Sequence, residues 1–127
     1  MKATVTLIVP CYNEEESLPF FYNAVCDVAR QLPDYGISLL LVNDGSKDGT
    51  LKVMRELAAR DERVQYLSFS RNFGKEAAMY AGFCNAKGDY VAVMDADMQD
   101  PPSLLPEMLQ ILETGEYDSV ATRRVTR

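Results

Sequence analysis

The sequence predicts an α/β domain: a mostly parallel sheet with helices on both faces. Three observations carry that expectation. Short apolar runs of strand length alternate with segments whose apolar residues recur at helical spacing. The connections between them are short, which favours parallel strands joined by crossover helices. Two of the strand candidates, residues 37–42 and 90–94, are apolar with little alternation, as strands covered on both faces are. Right-handed crossovers then leave few topologies.

The elements follow in order. Thr4 to Val9 is rich in β-branched residues and ends at Pro10. Glu14 to Leu32 reads as a helix, with Leu18, Phe21, Val25 and Val28 on one face, and Pro33 and Gly36 punctuate it. Ile37 to Val42 is the second strand, bounded by Asn43, Asp44 and Gly45. Asp48 opens a second helix that runs to about Arg60, with Leu51, Met54, Leu57 and Ala58 on one face. Val64 to Phe69 is a third strand, and Gly74 to Ala86 a third helix closed by Gly88. Tyr90 to Met94 is a fourth, buried strand. Pro102 or Ser103 opens a fourth helix ending near Gly115, and Ser119 to Thr122 begins a fifth strand. No repeat, low-complexity segment or linker divides the chain, so residues 1–127 form one domain. The end at Arg127 reads as a fifth strand leading into something absent, so a C-terminally truncated domain is expected.

Composition narrows the function classes. Hydrophobic residues make up 47% and charged residues 25%, the balance of an ordinary globular protein. The net charge of −6 argues against general binding of nucleic acid or anionic membrane, although local basic groups can contact a phosphate. No apolar stretch approaches the roughly 20 residues that span a bilayer. The N-terminus enters a strand pattern directly, so no signal peptide is expected. The three cysteines, Cys11, Cys26 and Cys84, share no metal-like spacing, and a reduced cytosolic compartment is expected. The chain has no histidine, which excludes Ser-His-Asp, Cys-His and His-ligated zinc chemistry within it.

The chemistry concentrates in the four strand-to-helix loops, which this topology brings to one edge of the sheet. Open α/β sheets bind ligands there. Asp95 and Asp97 follow the fourth strand, with Asp100 three residues on. An acidic helix N-terminus accounts for Asp100 but poorly for Asp95. Two unpaired carboxylates at a strand tip repel each other and resist burial, and a divalent cation with oxygen ligands relieves both costs. A cation so held attracts phosphates.

The other loops fit such a ligand. After the first strand, Pro10 ends the sheet, Tyr12 offers a stacking face, and Asn13 offers donors and acceptors. The plainer alternative is a turn with Asn13 as helix N-cap. In the second loop Asp48 caps the next helix, whereas Asp44 stands free of that duty and can accept bonds from a base or ribose. In the third, Arg71 and Lys75 flank Gly74 at a helix start, where phosphate is attracted; a solvated basic turn is the plainer alternative. No GxGxxG follows the first strand and no GxxxxGK[ST] occurs, which disfavours a dinucleotide cofactor fold and excludes a P-loop NTPase.

Together these loops resemble glycosyltransferase family 2, with its Rossmann-like GT-A nucleotide-sugar-binding domain. The resemblance rests on Val9 to Glu14, on Asn43 to Ser46 with Asp48 to Thr50, and on Asp95-Ala96-Asp97. Ser70 to Glu76 and Asp97 to Pro102 are similar to the polyprenyl-phosphate branch, which includes dolichyl-phosphate mannosyltransferases and bactoprenol glucosyltransferases, the bactoprenol type being the nearer. The resemblance implies metal-dependent, inverting transfer of a sugar from a nucleotide-sugar, with uridine the favoured base, to a polyprenyl phosphate. It implies that Pro10, Tyr12 and Glu14 line the nucleoside pocket, that Asp44 contacts the base, and that Arg71 and Lys75 lie near the nucleotide. Asp95 and Asp97 would form the DxD element that binds Mg2+ or Mn2+ at the diphosphate, with Asp97 and Gln99 nearest the chemistry. Family members are about twice this length or more, and their later segment supplies the acceptor site and the membrane attachment. The full-length protein is thereby expected at the cytoplasmic side of the inner membrane, and this piece alone is expected to be soluble.

Rival classes fit less well. An isolated nucleotide-sugar-binding module without activity differs only in the missing segment, and a family 2 transferase with a saccharide acceptor shares every motif. A phosphoacceptor receiver domain needs an acidic pair after the first strand and a lysine after the fifth, where Arg123 stands. A sugar-nucleotide pyrophosphorylase needs a glycine-rich basic loop where Pro10 to Glu14 lies.

Overall fold

The computed structural model describes residues 3–99 and 101–113. Four parallel strands form one sheet in the order β3-β2-β1-β4: β1 Ala3–Cys11, β2 Tyr35–Asn43, β3 Val64–Ser68 and β4 Tyr90–Val93. Helices α1 (Ser17–Gln31), α2 (Thr50–Arg60) and α3 (Lys75–Asn85) are the crossovers, and a short 3₁₀ turn, Pro102–Leu104, leads into α4 (Leu105–Glu113). The mostly parallel α/β sheet is borne out. The expected fifth strand and the end of the fourth helix lie outside the described residues.

Strand alternation sends β1 side chains to two different cores. Val5, Leu7, Val9 and Cys11 face a cluster with Leu18, Phe21, Val25 and Val28 of α1, Met54 and Leu57 of α2, and Leu105 and Leu109 of α4. Ile8 faces the opposite way, with Val42 and Ala78 of α3. Helices therefore cover both faces, three on one and α3 on the other. The four residues read as the apolar face of the first helix are all buried. On the thin side α3 approaches closely because Gly82 has no side chain: a Cβ there would lie 2.4 Å from Cγ2 of Ile8.

Several boundaries shift for identifiable reasons. β1 continues through Pro10 to Cys11, paired with β2. β4 last pairs at Ile8, so Pro10, on the same side of the strand as Ile8, points past the end of β4 and has no ladder donor to lose. α1 begins at Ser17, not Glu14, because the backbone N–H groups of Glu14 and Glu15 are donated to Thr50 Oγ1 (2.8 Å) and Asp48 Oδ2 (3.3 Å). β4 is not the fully buried strand expected: it borders the described sheet, and Val91 is exposed.

The strand order positions the site. From β1 the chain steps outward to β2 and β3, then returns through α3 on the opposite face to β4 on the other side of β1. The order reverses between β1 and β4, and a crevice opens at their C-terminal ends.

Candidate active site

A cleft of about 300 Å³ lies at that reversal, lined by Pro10, Cys11, Tyr12, Glu14, Asp44, Lys75, Asp95, Asp97 and Gln99. Its walls are the loops after β1, β2 and β4 and the first turn of α3. Of the residues to which the family resemblance gives a nucleotide, metal or catalytic role, Arg71 is the one that does not line it. The Arg71 guanidinium instead lies over the Phe73 ring, 4.6 Å from its centroid.

Loops one and two are laced together. Asn13 takes a left-handed conformation (φ 55°), accepts a bond from the Lys47 N–H (2.8 Å) and donates its own N–H to Ser46 Oγ (2.9 Å). Asn13 is therefore a loop clamp, not the helix N-cap that its position offers. Glu15 accepts the Gly49 N–H at 3.0 Å. Gly49, not Asp48, takes the N-cap position of α2; Asp48 stands two residues ahead of the helix and accepts the Thr50 N–H at 2.9 Å. Burial alone would raise the Asp48 pKa, but hydrogen bonds from the Thr50 hydroxyl and from backbone N–H groups outweigh it, and the carboxyl lies below its ordinary value. The Glu14 side chain, at the cleft wall, accepts from the Ser17 hydroxyl at 2.6 Å.

Asp44 is only 3% exposed. Its carboxylate accepts from the Phe73 N–H (2.8 Å), the Gly74 N–H (3.1 Å) and the Asn72 amide (3.1 Å). The sequence assigns Asp44 no structural duty; in the fold it closes the entry to α3, three elements on. This also alters the reading of loop three. The N-terminus of α3 does not stand open for a phosphate, because Asp44 already places an anion ahead of it.

Asp95 is likewise not unpaired. Its Oδ1 lies 2.7 Å from Nζ of Lys75. Asp97 is exposed and accepts the Gln99 N–H (3.2 Å) in a turn whose next residue, Met98, has φ 67°. A positive φ at a non-glycine residue is uncommon and here falls in a cleft-lining loop. Asp100 lies outside the described residues.

Two residues that matter lie within the quoted motifs but carry no role in the motif reading. Cys11 lines the cleft floor, and its pKa is pushed up, first by burial and then by the charges of Glu14 and Asp95. The alternation Val5, Leu7, Val9 was the signal that could have found it. Thr50 is buried and supports Glu14 through its hydroxyl, a contact 36 residues apart in sequence that no local pattern announces.

The donor set suits a hard cation. Carboxylates dominate, the one thiol is held protonated by burial, and imidazole is absent. Among the described residues no three acidic, cysteine or histidine side chains form a cage. Asp95 and Asp97 would therefore supply part of a coordination shell, as Mg2+ sites completed by substrate phosphates and water do.

Comparison with known proteins follows the same lines. Residues 6–127 match the description Glycosyl transferase family 2. The chain is 42% identical over 123 residues to the bactoprenol glucosyl transferase of Shigella phage SfV, covering 97% of this chain and 39% of that protein. It is 41% identical over 124 residues to the undecaprenyl-phosphate 4-deoxy-4-formamido-L-arabinose transferase of Proteus mirabilis, covering 97% of this chain and 37% of that protein. The chain thus spans about two-fifths of the length of such relatives. Among solved structures, the mannosyltransferase PcManGT from Pyrobaculum calidifontis, in complex with GDP-Man and Mn2+, superposes with a TM-score of 0.72 at 24% identity, covering 88% of this chain and 33% of that one. S. aureus TarS superposes with a TM-score of 0.72 at 19% identity, covering 98% of this chain and 38% of that one.

Proposed function

The chain belongs to glycosyl transferase family 2, and on that premise we propose that its cleft binds the diphosphate of a nucleotide-sugar, of the UDP class, for inverting transfer of the sugar to a polyprenyl phosphate. The observation that carries this reading is the acidic floor at the sheet reversal. Glu14, Asp44, Asp95 and Asp97 line the cleft with Lys75 as the cation among them. A diphosphate cannot enter such a site alone, whereas one accompanied by a divalent cation can. The relatives named for bactoprenol and undecaprenyl phosphate support the acceptor class.

In this reading Asp95 and Asp97 hold Mg2+ or Mn2+. The bound cation supplies charge stabilisation to the departing diphosphate. Tyr12, 42% exposed at the rim, offers a face for the base, and Pro10 and Glu14 form the adjoining wall. Asp44 lines the nucleoside end and fixes the loop that carries Lys75. Gln99, exposed beside Asp97, faces the sugar or the acceptor phosphate. An oxygen of the acceptor phosphate attacks the anomeric carbon, the bond from that carbon to the diphosphate breaks, and the nucleoside diphosphate leaves. A phosphate with a second pKa near 6 is mostly deprotonated at neutral pH, so no side chain is required as general base. Positioning and electrostatics carry the rate. Arg71, outside the cleft, has no role in this scheme.

The whole protein would work at the cytoplasmic side of the inner membrane, where polyprenyl phosphates meet nucleotide-sugars. Among the described residues no helix is long and apolar enough to cross a membrane. Because the chain spans 39% of its relative, a second reading applies to it in isolation: a nucleotide-sugar-binding module that does not turn over. Adding polyprenyl phosphate and UDP-sugar to the chain separates the two, since glycosyl-lipid product appears only if the domain suffices. For the cleft itself, Asp97→Ala is expected to abolish Mn2+-dependent UDP-sugar binding in calorimetry with little change in Tm. Unchanged affinity would falsify the assignment.

A further inference from the structure

Lys75 makes a contact that a cation-binding cleft does not need. Its ammonium is 2.7 Å from Asp95, one of the two carboxylates assigned to the metal. The Lys75 side chain is 56% exposed and that of Asp95 21%, so the lysine reaches from the rim toward the floor. The other carboxylates differ. Asp44 is committed to the loop ahead of α3, and Asp97 accepts a backbone N–H in its own turn. Among the described residues, Asp95 is the one of the four that is ion-paired, and its partner is an exposed side chain. Lysine is a mobile point charge without fixed donor geometry, and it can swing without disturbing the first turn of α3.

We propose that Lys75 is a removable counter-ion of Asp95: it neutralises the carboxylate while the cleft holds no nucleotide, and turns to a diphosphate oxygen when Asp95 takes a divalent cation. The proposal rests on the reading of the cleft as a cation–diphosphate site. Two consequences follow from the geometry. A cation arriving alone must displace the ammonium toward solvent, where it gains no anionic partner in exchange, so it binds weakly. A cation arriving with a diphosphate gives Lys75 a new acceptor, so each ligand strengthens the other by the same factor. Lys75 is thus a positioning residue that restricts the loaded state to the presence of nucleotide.

Mn2+ binding to the 127-residue chain, followed by the electron paramagnetic resonance of free Mn2+ with and without UDP, tests this. In Lys75→Met, Mn2+ alone is expected to bind about two- to fivefold tighter, the range of one half-exposed ion pair, and UDP is expected to strengthen it less than in wild type. Lys75→Arg keeps the cation and is expected to retain the weak wild-type binding. A merely structural role for Lys75 would move both affinities in the same direction, not tighten Mn2+ alone while lessening the effect of UDP. If wild type shows UDP-dependent Mn2+ binding but Lys75→Met leaves the affinity for Mn2+ alone unchanged, the counter-ion role is overturned and the cleft assignment stands. If wild type binds no Mn2+ even with UDP, both are overturned.

Discussion

Cys11 and Asp44 are both buried in the cleft wall, and their chemistry diverges because their surroundings do. Around Cys11 there is apolar core on one side and the charges of Glu14 and Asp95 on the other, and each disfavours a thiolate. The thiol is consequently a packing group. A disulfide reagent such as DTNB is expected to modify exposed Cys84 in the native protein and to reach Cys11 only on unfolding; fast native-state labelling of Cys11 would contradict this. Asp44 is buried too, but three donors from residues 72–74 compensate it. Replacing it by alanine orphans those donors at the start of α3. Urea denaturation is expected to show a loss of about 1–3 kcal/mol, together with weaker nucleotide binding as the loop carrying Lys75 loosens. Asp44 was legible in the sequence as an unusual residue at a strand tip. Its partners were not, because they lie 28 to 30 residues away and meet it only once β2 and β3 pair.

At the scale of elements, α3 is the least conventional helix. Its outer surface exposes Tyr80 (71%) and Phe83 (52%), while its inner surface buries only Ala78 and Gly82. Small residues on the inner face let it sit close over β1. Gly82→Ala would drive a methyl group into Ile8, and overpacking at this contact is expected to cost about 1–3 kcal/mol in chemical denaturation, despite the better helix propensity of alanine. A stabilised variant would show that β1 and α3 can separate freely. The amphipathic α1 behaved conventionally: the spacing of Leu18, Phe21, Val25 and Val28 marks its buried face directly. Its start did not follow from spacing, since the residues ahead of Ser17 give their N–H groups to the neighbouring loop.

At the scale of the whole molecule, acid stability depends on carboxylates that join elements. Asp61 follows α2, accepts the Tyr22 hydroxyl of α1 at 2.7 Å and pairs with Arg63 at 2.8 Å. The Arg63 bonds hold the Asp61 carboxyl well below the ordinary carboxylate range, and the Asp61 bond raises Tyr22 to about 12. A carboxyl depressed in the folded state contributes stability that is present above its unfolded pKa, near 4, and is lost as the pH falls further. Asp48 contributes in the same direction. Asp61→Asn is therefore expected to be less stable than wild type at pH 7 and to lose less on acidification from pH 4 to pH 2, as read from urea midpoints. An unchanged acid limb would place the pH dependence elsewhere.

Residue order alone determined the α/β class, the alternation of elements, the helical core faces and the loops that hold the chemistry. These are local properties: periodicity of 2 or 3.6, and short polar breaks between apolar runs. What tertiary structure decided was which polar groups those loops have as neighbours. Lys75 and Asp95 are 20 residues apart and neither pattern names the other, yet the crossover of α3 back to β4 places their charges in contact. Arg71, four residues before Lys75, is left outside because its guanidinium rests on Phe73. Charge is encoded by sequence, but charge compensation depends on distances through space, and those exist only after the sheet has assembled.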